Sequence, residues 1–212
     1  MTISTVVFDV GETLIDERRH WTEVARRLGV PPHLLFAVVG GLIAEDRSHR
    51  ELFDIFEGVD ADRVAQAKRV FRDVPYERED LYPDASPALV ELRAAGFWIG
   101  IAGNQPMAAM VGFTALGLAS DFIASSAEYG VWKPDPAFFA RVTETAGAAP
   151  DEIAYVGDRL DNDVLPAIRS GMAGVFLRRG PWGVIQGQTP DANAATIAVD
   201  GLIGLADRLK AL

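Results

Sequence analysis

The sequence contains no cysteine, which excludes disulfide bonds and thiolate metal sites outright. Basic residues are in short supply as well: 20 Lys and Arg stand against 30 Asp and Glu, a net charge of −10. Nothing in that balance neutralises phosphates in bulk, which argues against nucleic acid or an anionic membrane as a partner. A small anionic substrate is still admissible, because one placed lysine and one metal ion reverse the sign locally. Long apolar runs are missing too. The longest, LLFAVVGGLIA from Leu34 to Ala44, is too short and too broken by glycine to span a bilayer. The N-terminal MTISTVVFDV lacks the basic flank and cleavage site of a secretory signal, so a cytoplasmic protein is expected. His20, His33 and His49 show no mutual metal-ligand spacing, and solvated or capping roles are expected for them.

What is present is a rhythm. The segment Ile3 to Val10 is β-branched and apolar, as a buried strand should be, and carries Asp9 near its end. Helical pattern over Ala85–Ala95 precedes a strand in FWIGIAG. Strand–helix pairs follow at DFIAS with DPAFFARVTETAG, at EIAYVGD with NDVLPAIRSGM, and at AGVFL. ATIAV then leads into GLIGLADRLKAL. Short apolar strands alternating with helices indicate an α/β fold with a Rossmann-like parallel sheet. Residues 16–83 break the rhythm with helix-like stretches and no strand, too long for a crossover. The chain therefore divides into an α/β core of 1–15 with 84–212 and an inserted α-helical domain of 16–83. Trp21, Phe36, Phe53, Phe56 and Phe71 are expected to form the core of that insert. The loop RRGPWGVIQGQTPDANA, rich in glycine and polar residues, is expected on the surface.

In a parallel sheet, ligands bind at the carboxyl ends of the strands. Asp9 closes the first strand, Asn104 follows the second and Asp158 closes EIAYVGD, so three polar groups converge on one crevice. A single strand-end Asp is more often a cap or turn residue; the convergence is the signal. GDRLDND, residues 157–163, packs hard oxygen ligands at a density that suits Mg²⁺, although Asp161 or Asn162 would equally serve to cap a helix. In GVWKPDPAFF, prolines flank Asp135, which is placed to cap the next helix. Lys133 there would bind phosphate as a point charge, against the commoner fate of a solvated surface lysine.

Taken in order, FDVGETL, AGN, KPDP and VGDRLDND resemble the motifs of the haloacid dehalogenase-like (HAD) hydrolases over essentially the whole chain. The insert after the first motif resembles that family's cap. The resemblance implies a Mg²⁺-dependent hydrolase in which Asp9 attacks phosphorus and Thr13 stands behind it. Mg²⁺ would be held by Asp9, Asp158 and the backbone carbonyl of Gly11. Lys133 would steady phosphoryl oxygens, and Asp163 would orient metal water or Lys133. The implied substrate is a small phosphate ester or acyl phosphate, bound with help from Gly103, Asn104 and Lys133. A monomer or a homodimer fits equally.

Two positions depart from the pattern. The family's phosphatases carry a second Asp two residues after the nucleophile, which protonates the leaving oxygen and then activates water. Gly11 can do neither. General acid–base catalysis is worth about 10²–10⁴ in rate, so poor turnover of alkyl phosphates is expected. Glu12 is adjacent, but neighbours on an extended backbone point to opposite sides, and a polar contact near Asp16 at the turn into the insert is expected of it. Gly103 stands where the family has Ser or Thr, leaving the backbone N–H and Asn104 or Gln105 as donors. Three readings follow, the first favoured: a phosphatase that is slow or restricted to activated substrates; a dehalogenase, for which no arginine of the insert is assignable to the halide and Arg47 and Arg50 are candidates by location only; or a phosphate-binding protein without turnover.

Overall fold

Four consecutive buried residues, Thr5–Phe8, form the central strand β1, and β-branched and aromatic side chains suit a strand covered on both faces. The computed structural model describes residues 2–56 and 58–212. Strands β2 (Trp98–Gly103), β3 (Phe122–Ser125), β4 (Ile153–Gly157), β5 (Ala173–Leu177) and β6 (Ile197–Val199) complete a sheet in the order β3-β2-β1-β4-β5-β6. Every neighbouring pair is parallel. The order reverses at β1, so the carboxyl ends of β1 and β4 flank the crevice where such sheets bind ligands.

Helices α1 (Arg18–Leu28), α2 (Pro32–Ala44), α3 (Leu52–Ile55), α4 (Ala61–Ala67) and α5 (Val70–Asp73) lie between β1 and the sheet's next strand. α6 (Ala85–Ala94) follows them before β2, and the others are α7 (Met107–Ala115), α8 (Ser126–Tyr129), α9 (Pro136–Ala146), α10 (Leu165–Arg169), α11 (Gly180–Gln186) and α12 (Leu205–Lys210). Strand alternation divides the interior. Val6 and Phe8 of β1 join Ala154 and Val156 of β4 in one apolar cluster with α6 and α12. Val7 and Tyr155 point the other way, into a cluster with Phe138 and Phe139 of α9. Helices therefore cover both faces of the sheet.

A third cluster belongs to the helical segment. Trp21, Val24, Ala25 and Leu28 recur on one face of α1 at the spacing of an amphipathic helix. Gly29 ends that helix at φ 76°, a left-handed conformation that a glycine adopts without cost. Leu35, Val39 and Leu42 of α2 close over the same cluster. No described helix is long and apolar enough to cross a membrane.

Several expectations need correcting. The glycine-rich stretch after β5 does not stay a surface loop: its first half is α11, with Trp182 buried and packed into the cluster of α1 and α2. Its glycines hide the helix from a propensity reading, and the indole has apolar partners that sequence distance conceals. Phe36, expected in the insert's core, is 37% exposed. His20 is buried rather than solvated; it stacks on Phe71 and donates from Nε2 to the carbonyl of Val74 at 3.1 Å. The helix expected from NDVLPAIRSGM opens instead as a π turn, Leu160–Val164, before α10, and the last helix is only Leu205–Lys210.

Candidate active site

Asp9 leaves β1 at the sheet's carboxyl edge, its backbone N–H donating to the carbonyl of Val156 on β4. Its side chain meets Lys133, whose Nζ donates to Asp9 Oδ1 at 2.6 Å and to Asp163 Oδ1 at 2.6 Å. The lysine side chain is wholly buried. Burial pulls the ammonium pKa down, but Asp163 and Asp9 outweigh it and hold it well above the ordinary lysine range. Asn104 fixes the backbone of this lysine: its Nδ2 donates to the Lys133 carbonyl at 3.0 Å, and its Oδ1 accepts the Lys133 N–H at 2.9 Å. Asp135 caps α9 by accepting the N–H of Ala137 at 2.9 Å, with Pro136 in the first turn. The KPDP turn is therefore pinned on both sides of the lysine.

Asp158 closes the acidic group. Carboxylate oxygens of Asp9, Asp158 and Asp163 lie within 4.8 Å of one another. Asp163 has its hydrogen bonds supplied, by Lys133, by Asn162 Nδ2 at 3.2 Å and by the Arg159 N–H at 3.1 Å. Asp158 does not: its Oδ2 is buried without a partner. Burial pushes the Asp158 carboxyl well above its ordinary range, and Asp163 and Asp9 push it further. A buried, unpartnered carboxylate oxygen among hard oxygen donors fits a small divalent cation.

Asp9, Lys133 and Asp158 floor a cavity of about 690 Å³ whose wall also includes Gly11 and Asn104, with Asp163 buried behind it. Thr13 is fully buried, its hydroxyl has no partner, and it forms none of that wall. Gly103 also lies behind the wall; a Cβ added there would stand 2.6 Å from Asp9 Oδ1. Glu12 turns at φ 51° and gives its oxygens to the Glu17 N–H at 3.3 Å and to the Tyr82 hydroxyl at 2.5 Å, the polar contact expected at the turn.

The ceiling holds residues that motif reading missed. His49 sits edge-on to Trp21 and Trp182, with ring centroids 5.9 and 5.3 Å away. Phe53, Phe71, Lys68 and Arg50 line the same space. Glu17 lies beside Gly11, buried, with Oε1 3.4 Å from the Tyr76 hydroxyl. Burial pushes its carboxyl well above the ordinary range, and Glu12 and Asp9 add to this. No spacing rule marks these positions; the glycine at 11 is the one sequence signal that something else must fill its space.

A profile of the haloacid dehalogenase-like hydrolases matches residues 3–171. The chain belongs to that family. Among sequence relatives of this HAD-like hydrolase is a glyceraldehyde 3-phosphate phosphatase of Methanopyrus kandleri, 31% identical over 85% of this chain and 86% of that one. A HAD hydrolase of Bacillus subtilis bound to magnesium superposes with a TM-score of 0.75 at 18% identity, covering 99% of both chains. The L-2-haloacid dehalogenase of Xanthobacter autotrophicus does so with a TM-score of 0.72 at 20% identity over the full length of both. At those identities the two structures share the fold of this HAD-like hydrolase, and its chemistry must be argued from its own site.

Proposed function

We propose that this hydrolase is a phosphatase of small phosphorylated metabolites that carries the phosphoryl group on Asp9. The observation that carries the reading is the buried chain Asp9–Lys133–Asp163 beside the unpartnered Oδ2 of Asp158. Displacement of halide from a haloacid has no use for such a cation site, whereas phosphoryl transfer depends on neutralising charge. The Methanopyrus relative, similar across most of both chains, supports the same choice.

An Asp9 carboxylate oxygen attacks phosphorus as the ester P–O bond breaks, and the alcohol oxygen leaves with that bond's electron pair. Water then attacks the aspartyl-phosphate, releasing inorganic phosphate and restoring the Asp9 carboxylate. Lys133 holds Asp9 in place before attack and presents its positive charge to the phosphoryl oxygens. Asp163 and Asn104 keep that ammonium and its backbone positioned. Mg²⁺ held by Asp9, Asp158 and the Gly11 carbonyl would supply further charge neutralisation. Residues 16–83 act as a cap, placing Lys68 and Arg50 over the crevice where a second anionic group of the substrate would lie.

The test is rapid quenching of the Mg²⁺-supplemented enzyme with ³²P-labelled acyl phosphate and p-nitrophenyl phosphate. Acid-stable label on the protein, absent from Asp9→Asn, is the expected result. Turnover of 2-haloacids with none of either phosphate would reverse it.

A further inference from the structure

Gly11 leaves room at the point where this family places its acid, and a carboxyl group fills that room. A Cβ added to Gly11 would stand 2.7 Å from Cδ of Glu17 and 3.2 Å from its Oε2, with Oε1 closer still. The space of a side chain at 11 and the space of the Glu17 carboxyl overlap. We propose that Glu17 is the proton carrier of the reaction, entering from the start of α1 to do the work that Gly11 cannot. The assignment rests on the phosphatase reading above.

Its placement follows from the local chain. Glu12 at φ 51° reverses the backbone after Gly11, and the Glu12 N–H donates to the Ile15 carbonyl at 2.7 Å. The resulting tight loop brings residue 17 back beside residue 11. The Glu17 N–H is tied to Glu12 Oε1 at 3.3 Å, and its carbonyl accepts from Trp21 at 2.9 Å in the first turn of α1. Both backbone groups are thus held, and the side chain lies on the cavity wall that also carries Asp9. Tyr76 stands between Glu17 Oε1, at 3.4 Å, and Gln105 Oε1, at 3.1 Å, and orients the carboxyl. Glu12 also reaches the cavity, but both of its oxygens are engaged, by the Glu17 backbone and by Tyr82, whereas Glu17 has Oε2 free of protein hydrogen bonds among the described residues.

In the first step, the proton on Glu17 passes to the departing alcohol oxygen as its bond to phosphorus breaks and the Asp9–phosphorus bond forms. In the second, the Glu17 carboxylate takes a proton from the attacking water while the Asp9–phosphorus bond breaks, which returns the acid to its starting form.

Glu17→Gln keeps the shape and removes the proton, and pre-steady-state kinetics with Mg²⁺ separates the two steps. With p-nitrophenyl phosphate, whose leaving group needs no proton, the variant should release one equivalent of nitrophenolate in a burst and then stall. Its steady state, and all turnover of an alkyl phosphate, should fall about 10²–10⁴-fold. Gly11→Asp combined with Glu17→Ala should raise alkyl turnover at least about tenfold over Glu17→Ala alone, because a carboxyl returns to the same space. Alkyl turnover by Glu17→Gln within about twofold of wild type would overturn the assignment. So would equal loss of burst and steady state on both esters without recovery in the double variant. A wild type inert on both esters would overturn the phosphatase reading and this assignment together.

Discussion

Lys133 Nζ stands 2.6 Å from Oδ1 of Asp9, with no part of the lysine side chain reaching solvent. Such a pair is costly to break from one side, because the surviving charge stays buried without a counterion; the penalty is about 3–5 kcal/mol. Lys133→Met should therefore lose about that much stability in urea unfolding at pH 7 with EDTA present. Its turnover should fall by about 10²–10³, the cost of removing one fixed positive group from a charge-developing transition state. A variant as stable as wild type would mean that the two carboxylates find other relief.

Asp158 presents the opposite case. Its Oδ2 has no partner, and its neighbours include Asp9 and Asp163. Without metal, Asp158→Asn should be at least as stable as wild type, since a buried like charge is removed. Added MgCl₂ at a hundred times its dissociation constant should stabilise wild type by about 2.7 kcal/mol and Asp158→Asn hardly at all. Differential scanning calorimetry with MgCl₂ and with EDTA measures both.

Gly103 invites an obvious repair, Gly103→Ser, to recover a hydroxyl donor. The structure argues against it. The new Cβ would sit 2.6 Å from Asp9 Oδ1 and 3.1 Å from Cγ2 of Val10, so the Asp9 carboxylate must leave its place against Lys133. Misplacing a reacting atom by an ångström costs on the order of 10²-fold. A loss of about tenfold or more on p-nitrophenyl phosphate is expected, and a gain would show that the strand end yields.

Burial pushes the His49 imidazole down to about 4, with Arg159 and Arg50 adding repulsion. The unfolded value is about 6.5, so the folded state favours the neutral ring. The group's contribution is therefore intact above the unfolded value. It is lost as pH falls from about 6.5 towards 4 and levels off below. Between pH 7 and 5 this removes about 2 kcal/mol from wild type. His49→Gln should show a shallower decline over that window by urea titration, and parallel curves would refute the shift.

Much of this architecture can be read in the chain. The sheet strands announce themselves because β1, β4 and β5 are buried on both faces and so are apolar throughout. The floor of the site is legible for a related reason: Asp9 and Asp158 interrupt that apolar pattern just past the ends of β1 and β4, and Lys133 is marked by the KPDP turn before α9. The ceiling is not legible. Trp21, His49 and Trp182 meet only through tertiary packing, and each taken singly looks like an ordinary core or loop residue. Glu17 is silent for the same reason, since its relation to Gly11 depends on a reversed loop that no periodicity encodes.

Trp182 extends from the sheet's half of the chain into the apolar cluster of α1 and α2, and its indole carries the Arg159 guanidinium 5.1 Å from the ring centre. The ceiling of the cavity is consequently not a cassette. A graft that replaced residues 16–83 with the corresponding segment of a relative would bring a foreign ceiling down on a resident indole, and its specificity would be a hybrid of both parents. Selection acting on this pocket has to move two distant stretches of sequence in step.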